Sequence, residues 1–229
     1  MNDRESNNLG RDAILQDERY QGMTVTRDGA AYLAVHTTRE AVVRITLDFG
    51  EPRAGSLRTS INFLNHMLEM LGWWGDVAID ATYEAETFRL AHVVAEDTGI
   101  ALGAACLHAI RDRVAEGVES SGFALAVADE ASALAQVSFE GRANAFITRQ
   151  GASALDSVED MACPDLVAFF EGFCQGGRCT VHVHLNDDSR DPHHAWEAGF
   201  RAFARALRSA FAANPRRAGR TAGVKGTLD

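Results

Sequence analysis

From about residue 34 onward, apolar positions either alternate or recur at helical spacing in nearly every segment. AVVRITLDF places Ala41, Val43, Ile45, Leu47 and Phe49 on one face of an extended chain, which predicts a half-buried strand. After a loop containing Pro52 and Gly55, Phe63, Met67, Met70 and Leu71 recur at helical spacing, with Gly72 and Gly75 near the end. DVAIDATYEA alternates again, and an Ala- and Leu-rich helical pattern runs from His92 to about Val114. The order then repeats. FALAVAD, SALAQVSFEG and ANAFIT predict strands, RQGASALDSVED a polar connector, and CPDLVAFFEGF a helix with Pro164 in its first turn. RCTVHVHLN predicts a strand, and HHAWEAGFRAFARALRSAFAA an amphipathic helix that ends before Asn214-Pro215.

A shift of 101 residues lays His92 to Glu96 over His193 to Glu197, and the strand before each helix falls into the same register. Internal repetition of this kind fixes the architecture. It predicts an α+β fold of two similar halves, each a mostly antiparallel four-stranded sheet backed by helices. The expected division is a polar tail over 1–33, a first half over 34–120 and a second over 121–229, packed as one unit.

Composition narrows the chemistry. A formal charge of −10, with no basic stripe, argues against nucleic acid as a partner. No apolar run approaches the roughly 20 residues of a membrane span, and MNDRESNNLGRD lacks a signal-peptide core, so a cytoplasmic protein without membrane contact is expected. Cys106, Cys163, Cys174 and Cys179 show no CxxC spacing and read as reduced thiols.

The histidines carry the chemical signal. Residues i and i+4 share a helix face, so His193 and Glu197 can chelate one ion, and His92 and Glu96 another. His194 points about 100° away from His193 and would serve a neighbouring ion. In RCTVHVHLN, Cys179, Val181, Val183 and Leu185 take one face, leaving Thr180, His182 and His184 on the other. Imidazole with carboxylate suits Mn, Fe or Zn better than Ca.

In order along the chain, FLNHM, HVVAED, the DEA of VADEAS, GRA, HVHLNDDSRDPHHAWEAGFRAFARAL and VKG resemble imidazoleglycerol-phosphate dehydratase, over about Ala34 to Leu228. The resemblance implies a lyase of histidine biosynthesis, with a duplicated ribosomal-protein-like α+β half and a large homo-oligomer whose active sites lie between subunits. It implies two Mn ions per site, held here by His66, His92, Glu96, His182, His193, His194 and Glu197. Lewis acids on both ring nitrogens of the substrate would let the ring expel a neighbouring hydroxyl, after which a carboxylate removes a proton. Glu40 of TTREA takes the acid–base role of an N-terminal RxTxET segment, alongside Glu96 and Glu197, with His36 where the pattern has Arg. Arg142, Arg201 and Lys225 are the residues left to hold the phosphate of an anionic, imidazole-bearing substrate.

Departures from the pattern cluster at the site. Val93 stands where the family has a second His, which predicts one weakened metal site with His66, His193 and Glu197 as its protein ligands. Ser120 replaces an Arg, Gly223 replaces a Ser, and Trp74 replaces a His. His184 is a candidate substitute ligand. Asp129-Glu130 reads as support for the site, His108 as a surface or subunit-contact residue, and Trp73-Trp74 as core or subunit contact. Two alternatives follow from the departures: a paralogue acting on a different azole, or a metal-binding protein without turnover.

Overall fold

The computed structural model describes residues 15–16, 22–85, 90–150, 157–186, 191–224 and 226. Lys225, Asp187 and Asp188 lie outside the described residues, as does most of the connector after Gln150. Among the described residues, twelve strands and four α-helices follow in chain order: β1 (Leu15–Gln16), β2 (Met23–Asp28), β3 (Ala31–Thr37), β4 (Ala41–Asp48), β5 (Leu57–Arg58), α1 (Asn62–Gly75), β6 (Ala78–Ala85) and α2 (Ala91–Arg113). Then come β7 (Ser121–Ala128), β8 (Ala131–Ser138), β9 (Asn144–Gln150), β10 (Ser157–Val158), β11 (Met161–Ala162), α3 (Cys163–Gly177), β12 (Thr180–Asn186) and α4 (Pro192–Ala210).

The first sheet runs β1-β2-β3-β4-β6-β5 and the second β7-β8-β12-β9. The segment β3-β4-β6-β5 has the same order as β7-β8-β12-β9. In both, the first three strands are antiparallel and the last is parallel to its neighbour. In both, a helix precedes the strand that enters beside the hairpin, and a second helix follows it. The first sheet is larger than expected, because β1 and β2 extend one edge, while β5 at the other is only two residues long. Part of the stretch expected to be tail is sheet: Met23 and Val25 of β2 are buried, and β3 pairs with β4 along its whole length. The alternation there is short and flanked by charge, which hid it from the hydrophobic pattern.

Period-two burial sets the inner faces. Ala41, Val43, Ile45 and Leu47 of β4 point inward, as do Ala131, Ala133, Ala135 and Val137 of β8. Between the sheets, α3 and α4 interlock through Phe169, Phe170 and Phe173 against Phe200 and Phe203, with ring centroids 5.0–5.4 Å apart. All four cysteines are buried, and none is joined in a disulfide.

Helix α2 is long and apolar enough to cross a membrane, contrary to the expectation of no such run, but 89% of its apolar window is buried inside the protein. Glycines bring it to backbone contact with α3. A Cβ on Gly99 would sit 2.1 Å from the Phe169 carbonyl oxygen, and one on Gly172 would sit 2.3 Å from that of Glu96. Gly103 and Gly176 repeat this one turn further on, at 2.1 and 2.0 Å. Each glycine costs a helix about 1 kcal/mol relative to alanine, and the close approach it permits replaces that loss with packing. His108 is buried within α2 at 4% exposure, not at a surface. The helix that carries His92 and Glu96 is thus packed backbone to backbone against α3.

Candidate metal centre

The N-terminal ends of α1 and α4 meet around a short hairpin. Ile61, the residue before α1, offers no side-chain cap, and its role falls to Asp160 in the β10–β11 turn. The Asp160 carboxylate accepts the backbone N–H of Asn62 at 2.7 Å and of Phe63 at 2.9 Å. At α4, Asp191 Oδ1 accepts the N–H of His193 at 2.9 Å, and Pro192 occupies the first helical position. Both helices are thus fixed at the ends that carry His66 and His193.

His66, His193 and Glu197 each offer a donor atom within 4.8 Å of the other two. The His193 and Glu197 donors, one helical turn apart, are 3.9 Å from each other, and the His66 and His193 rings lie 5.4 Å apart. Phe63 packs edge-on to His193 at 5.2 Å and forms the apolar floor. The His193 Nδ1 lies 3.0 Å from Glu159 Oε1, so its Nε2 is the nitrogen turned to the cluster. Glu197 is 9% exposed, and its second oxygen accepts from Arg201. Two imidazoles and a carboxylate at this separation suit a divalent transition metal with open positions for a ligand. The donor set therefore fits the metal that the sequence pattern implied.

His92 and Glu96 share a face of α2 with 3.9 Å between their donor atoms, and Asp165 of α3 lies 3.7 Å from His92 Nδ1. Val93 is beside them and supplies no donor. Behind the pair sits Asp97, 7% exposed, whose pKa is pushed up to about 6 by burial and then by the negative charges of Glu96 and Glu40. His36 Nδ1 is 3.6 Å from Asp97, but that is too long for a hydrogen bond, and burial lowers the His36 pKa. Burial therefore works against the charged form of both groups, lowering the imidazole and raising the acid. The motif HVVAED contained Asp97, yet its burial could not be read from spacing.

The remaining expected ligands lie elsewhere in the chain. His194 donates from Nδ1 to Glu130 at 2.9 Å, with Asp129 and Asp191 at 3.4 and 4.0 Å from its Nε2. The hydrogen bond to Glu130 leads these acids in raising the His194 pKa. His182 stacks on Phe146 at 4.6 Å on the open face of the second sheet. His184 Nδ1 lies 2.6 Å from Thr148 Oγ1 on the same face. Among the described residues, only His66, His193 and Glu197 form a group of three.

The basic residues expected to bind phosphate are divided. Arg142 is exposed in the loop after β8, and the C-terminal segment passes close by, since a Cβ on Gly223 would come within 3.8 Å of Glu140. Arg201 is already engaged: besides Glu197, it donates to the Val127 carbonyl at 2.9 Å and lies over the Trp74 ring at 5.5 Å. Ser120 is buried, with its Oγ directed to the Val118 carbonyl. Trp73 is 77% exposed, so it is not core. A cavity of about 660 Å³ between the 48–57 loop and α1, lined by Arg53, Glu69 and Trp73, contains none of the three clustered ligands.

Fold and site together define a duplicated α+β protein whose helix ends present imidazole–carboxylate groups able to hold a metal ion. The family model for imidazoleglycerol-phosphate dehydratase matches residues 59–207. The imidazoleglycerol-phosphate dehydratase of Methylococcus capsulatus is 31% identical over 83% of this chain and 94% of its own length, and that of Gluconacetobacter diazotrophicus is 34% identical over 88% and 100%. Among solved structures, IGPD from Pyrococcus furiosus superposes with a TM-score of 0.68 at 26% identity, covering 84% of this chain and 98% of that one. The Staphylococcus aureus imidazoleglycerol-phosphate dehydratase gives 0.66 at 26% identity, over 80% and 99%. The chain belongs to the imidazoleglycerol-phosphate dehydratase family.

Proposed function

We propose that this chain is a metal-dependent hydro-lyase that removes water from an imidazole-bearing glycerol phosphate, the step the family performs in histidine biosynthesis. The observation that carries the reading is the convergence of His66, His193 and Glu197 from two helices, in a member of that family. These three would hold one Mn²⁺. His92 and Glu96 would hold a second, completed by His182 and His194 of another copy; within one chain Asp165 approaches His92, but among the described residues no group of three forms around the pair. When bound, the ions supply Lewis-acid stabilisation of negative charge on an imidazole ring.

The chain's own residues do the rest. His193 and Glu197 orient the ring through the face of α4, and Phe63 keeps that side of the site apolar. Glu40, whose charge reaches Asp97 behind the His92 pair, would be the carboxylate that accepts a proton from carbon. Arg142 and Lys225 provide the positive charge for the phosphate. The reading also entails a cytoplasmic homo-oligomer with sites shared between subunits, and no nucleic-acid or membrane partner. Turnover of imidazole-glycerol phosphate with added Mn²⁺, together with metal counted per chain, tests it. Absence of both turnover and bound metal would overturn it.

A second reading, a relative that dehydrates a different azole, is favoured by Arg201. Its guanidinium is spent on Glu197, Val127 and Trp74, which weakens the phosphate end of the site. Turnover of the unphosphorylated imidazole diol at a rate matching the phosphate would decide for it.

A further inference from the structure

Glu159 occupies the left-handed region with φ +50°, a conformation that favours glycine, at the turn between β10 and β11. The turn is fixed from several sides. Val158 and Met161 pair across the hairpin and are both 3% exposed. Asp160, the next residue, accepts two N–H groups at the start of α1, the helix that carries His66. With the backbone held in this way, the Glu159 side chain reaches α4 and places Oε1 3.0 Å from His193 Nδ1. One turn thus touches both ligand-bearing helices, through Asp160 to α1 and through Glu159 to α4. A strained residue is retained where the surroundings over-determine it, and such residues concentrate at functional sites.

A carboxylate on Nδ1 requires the proton to sit there, which leaves the Nε2 lone pair free and locks the ring about its Cβ–Cγ bond. Nε2 is the nitrogen that lies 3.9 Å from Glu197 and joins His66 in the cluster. We propose that Glu159 is a positioning residue, whose contact with His193 fixes the tautomer and orientation that complete the His66–His193–Glu197 site. Carboxylates behind ligating histidines commonly raise metal affinity in this manner, and their loss costs roughly 10–100-fold. The inference rests on the metal reading given above.

Two variants separate positioning from architecture. Glu159→Gly removes the carboxylate and relieves the φ +50° backbone, so the fold is expected to melt no lower than the parent. Glu159→Gln keeps the backbone demand and the length of the side chain while removing the charge. Mn²⁺ binding, followed by the electron paramagnetic resonance of free Mn²⁺, is expected to weaken by about 10–100-fold in Glu159→Gly and by less in Glu159→Gln. In ¹⁵N-histidine spectra, His193 is expected to hold its proton on Nδ1 in the parent and to lose that preference in Glu159→Gly. Unchanged Mn²⁺ affinity and an unchanged tautomer in Glu159→Gly would overturn the proposal. If the parent protein binds no Mn²⁺, the metal reading fails instead, and the tautomer comparison still judges the contact between Glu159 and His193.

Discussion

Arg201 follows Glu197 by one turn of α4 and donates one guanidinium nitrogen to its carboxylate while the other reaches the Val127 carbonyl of β7 at 2.9 Å. One turn on, Arg205 donates to Leu125 of the same strand at 3.2 Å. Two arginines therefore serve the carbonyls of an edge strand, and one of them also orients a metal-ligand candidate. A lysine cannot make both contacts at once, because it lacks the planar fork. Arg201→Ala is expected to lower stability by about 1–3 kcal/mol, since it strands a nearly buried carboxylate and a backbone carbonyl. Arg201→Lys is expected to fall between the two, as read by denaturant unfolding.

Asp97 gives stability a pH dependence of known sign. Its pKa in the folded chain is about 6, above the ordinary 3.8, so the folded state favours the protonated form. That contribution is fully present below about pH 4 and is lost as pH rises through 6. Asp97→Asn removes the titration. In chelator-treated protein the variant is expected to gain on the parent across this window, reaching on the order of 2–3 kcal/mol above pH 7. Unfolding curves at pH 4 and pH 8 check it, and a difference that stays constant between them would contradict it.

The glycine contact between α2 and α3 sets a steric limit. A methyl group at Gly99 would lie 2.1 Å from the Phe169 carbonyl, which is backbone and cannot swing aside. Gly99→Ala is expected to destabilise the fold by about 1–3 kcal/mol despite the better helix propensity of alanine. A thermal melt distinguishes this from the small gain that propensity alone would give.

Val93 borders His92 on α2, in the place where the family pattern has a second imidazole. Val93→His is expected to raise the metal retained per chain after gel filtration, and to raise turnover with it. Val93→Ala is expected to change neither. Metal analysis of the three proteins side by side makes the comparison.

Much of this architecture was legible in the sequence because it rests on period. The alternation in AVVRITLDF and RCTVHVHLN and the 101-residue shift between His92 and His193 led to both sheets and to the helices that follow them. The shared face of His193 and Glu197 followed from helix geometry alone, and so did that of His92 and Glu96. Contacts between distant segments did not show. Asp160 caps a helix 97 residues earlier, and Glu159 meets His193 across 34 residues of chain. Neither has a spacing signal, since a loop carboxylate acquires its role only when the turn is placed. Arg201 illustrates the reverse. Its charge marked it as an anion ligand, whereas its neighbours in space, Glu197 and Trp74, occupy it.

The matched strand orders carry a further implication for how such a site could arise. His92 with Glu96 and His193 with Glu197 hold equivalent places in equivalent units, each on the helix that follows the strand inserted beside the hairpin. Yet the three-residue cluster joins α4 of the second unit to His66 on α1 of the first. A single ancestral unit would have presented half of this constellation, and pairing with its own copy would have supplied the other half twice over. In one chain the two halves are free to differ, and they do: Val93 follows His92 in the first, whereas the His193–His194 doublet stands in the second.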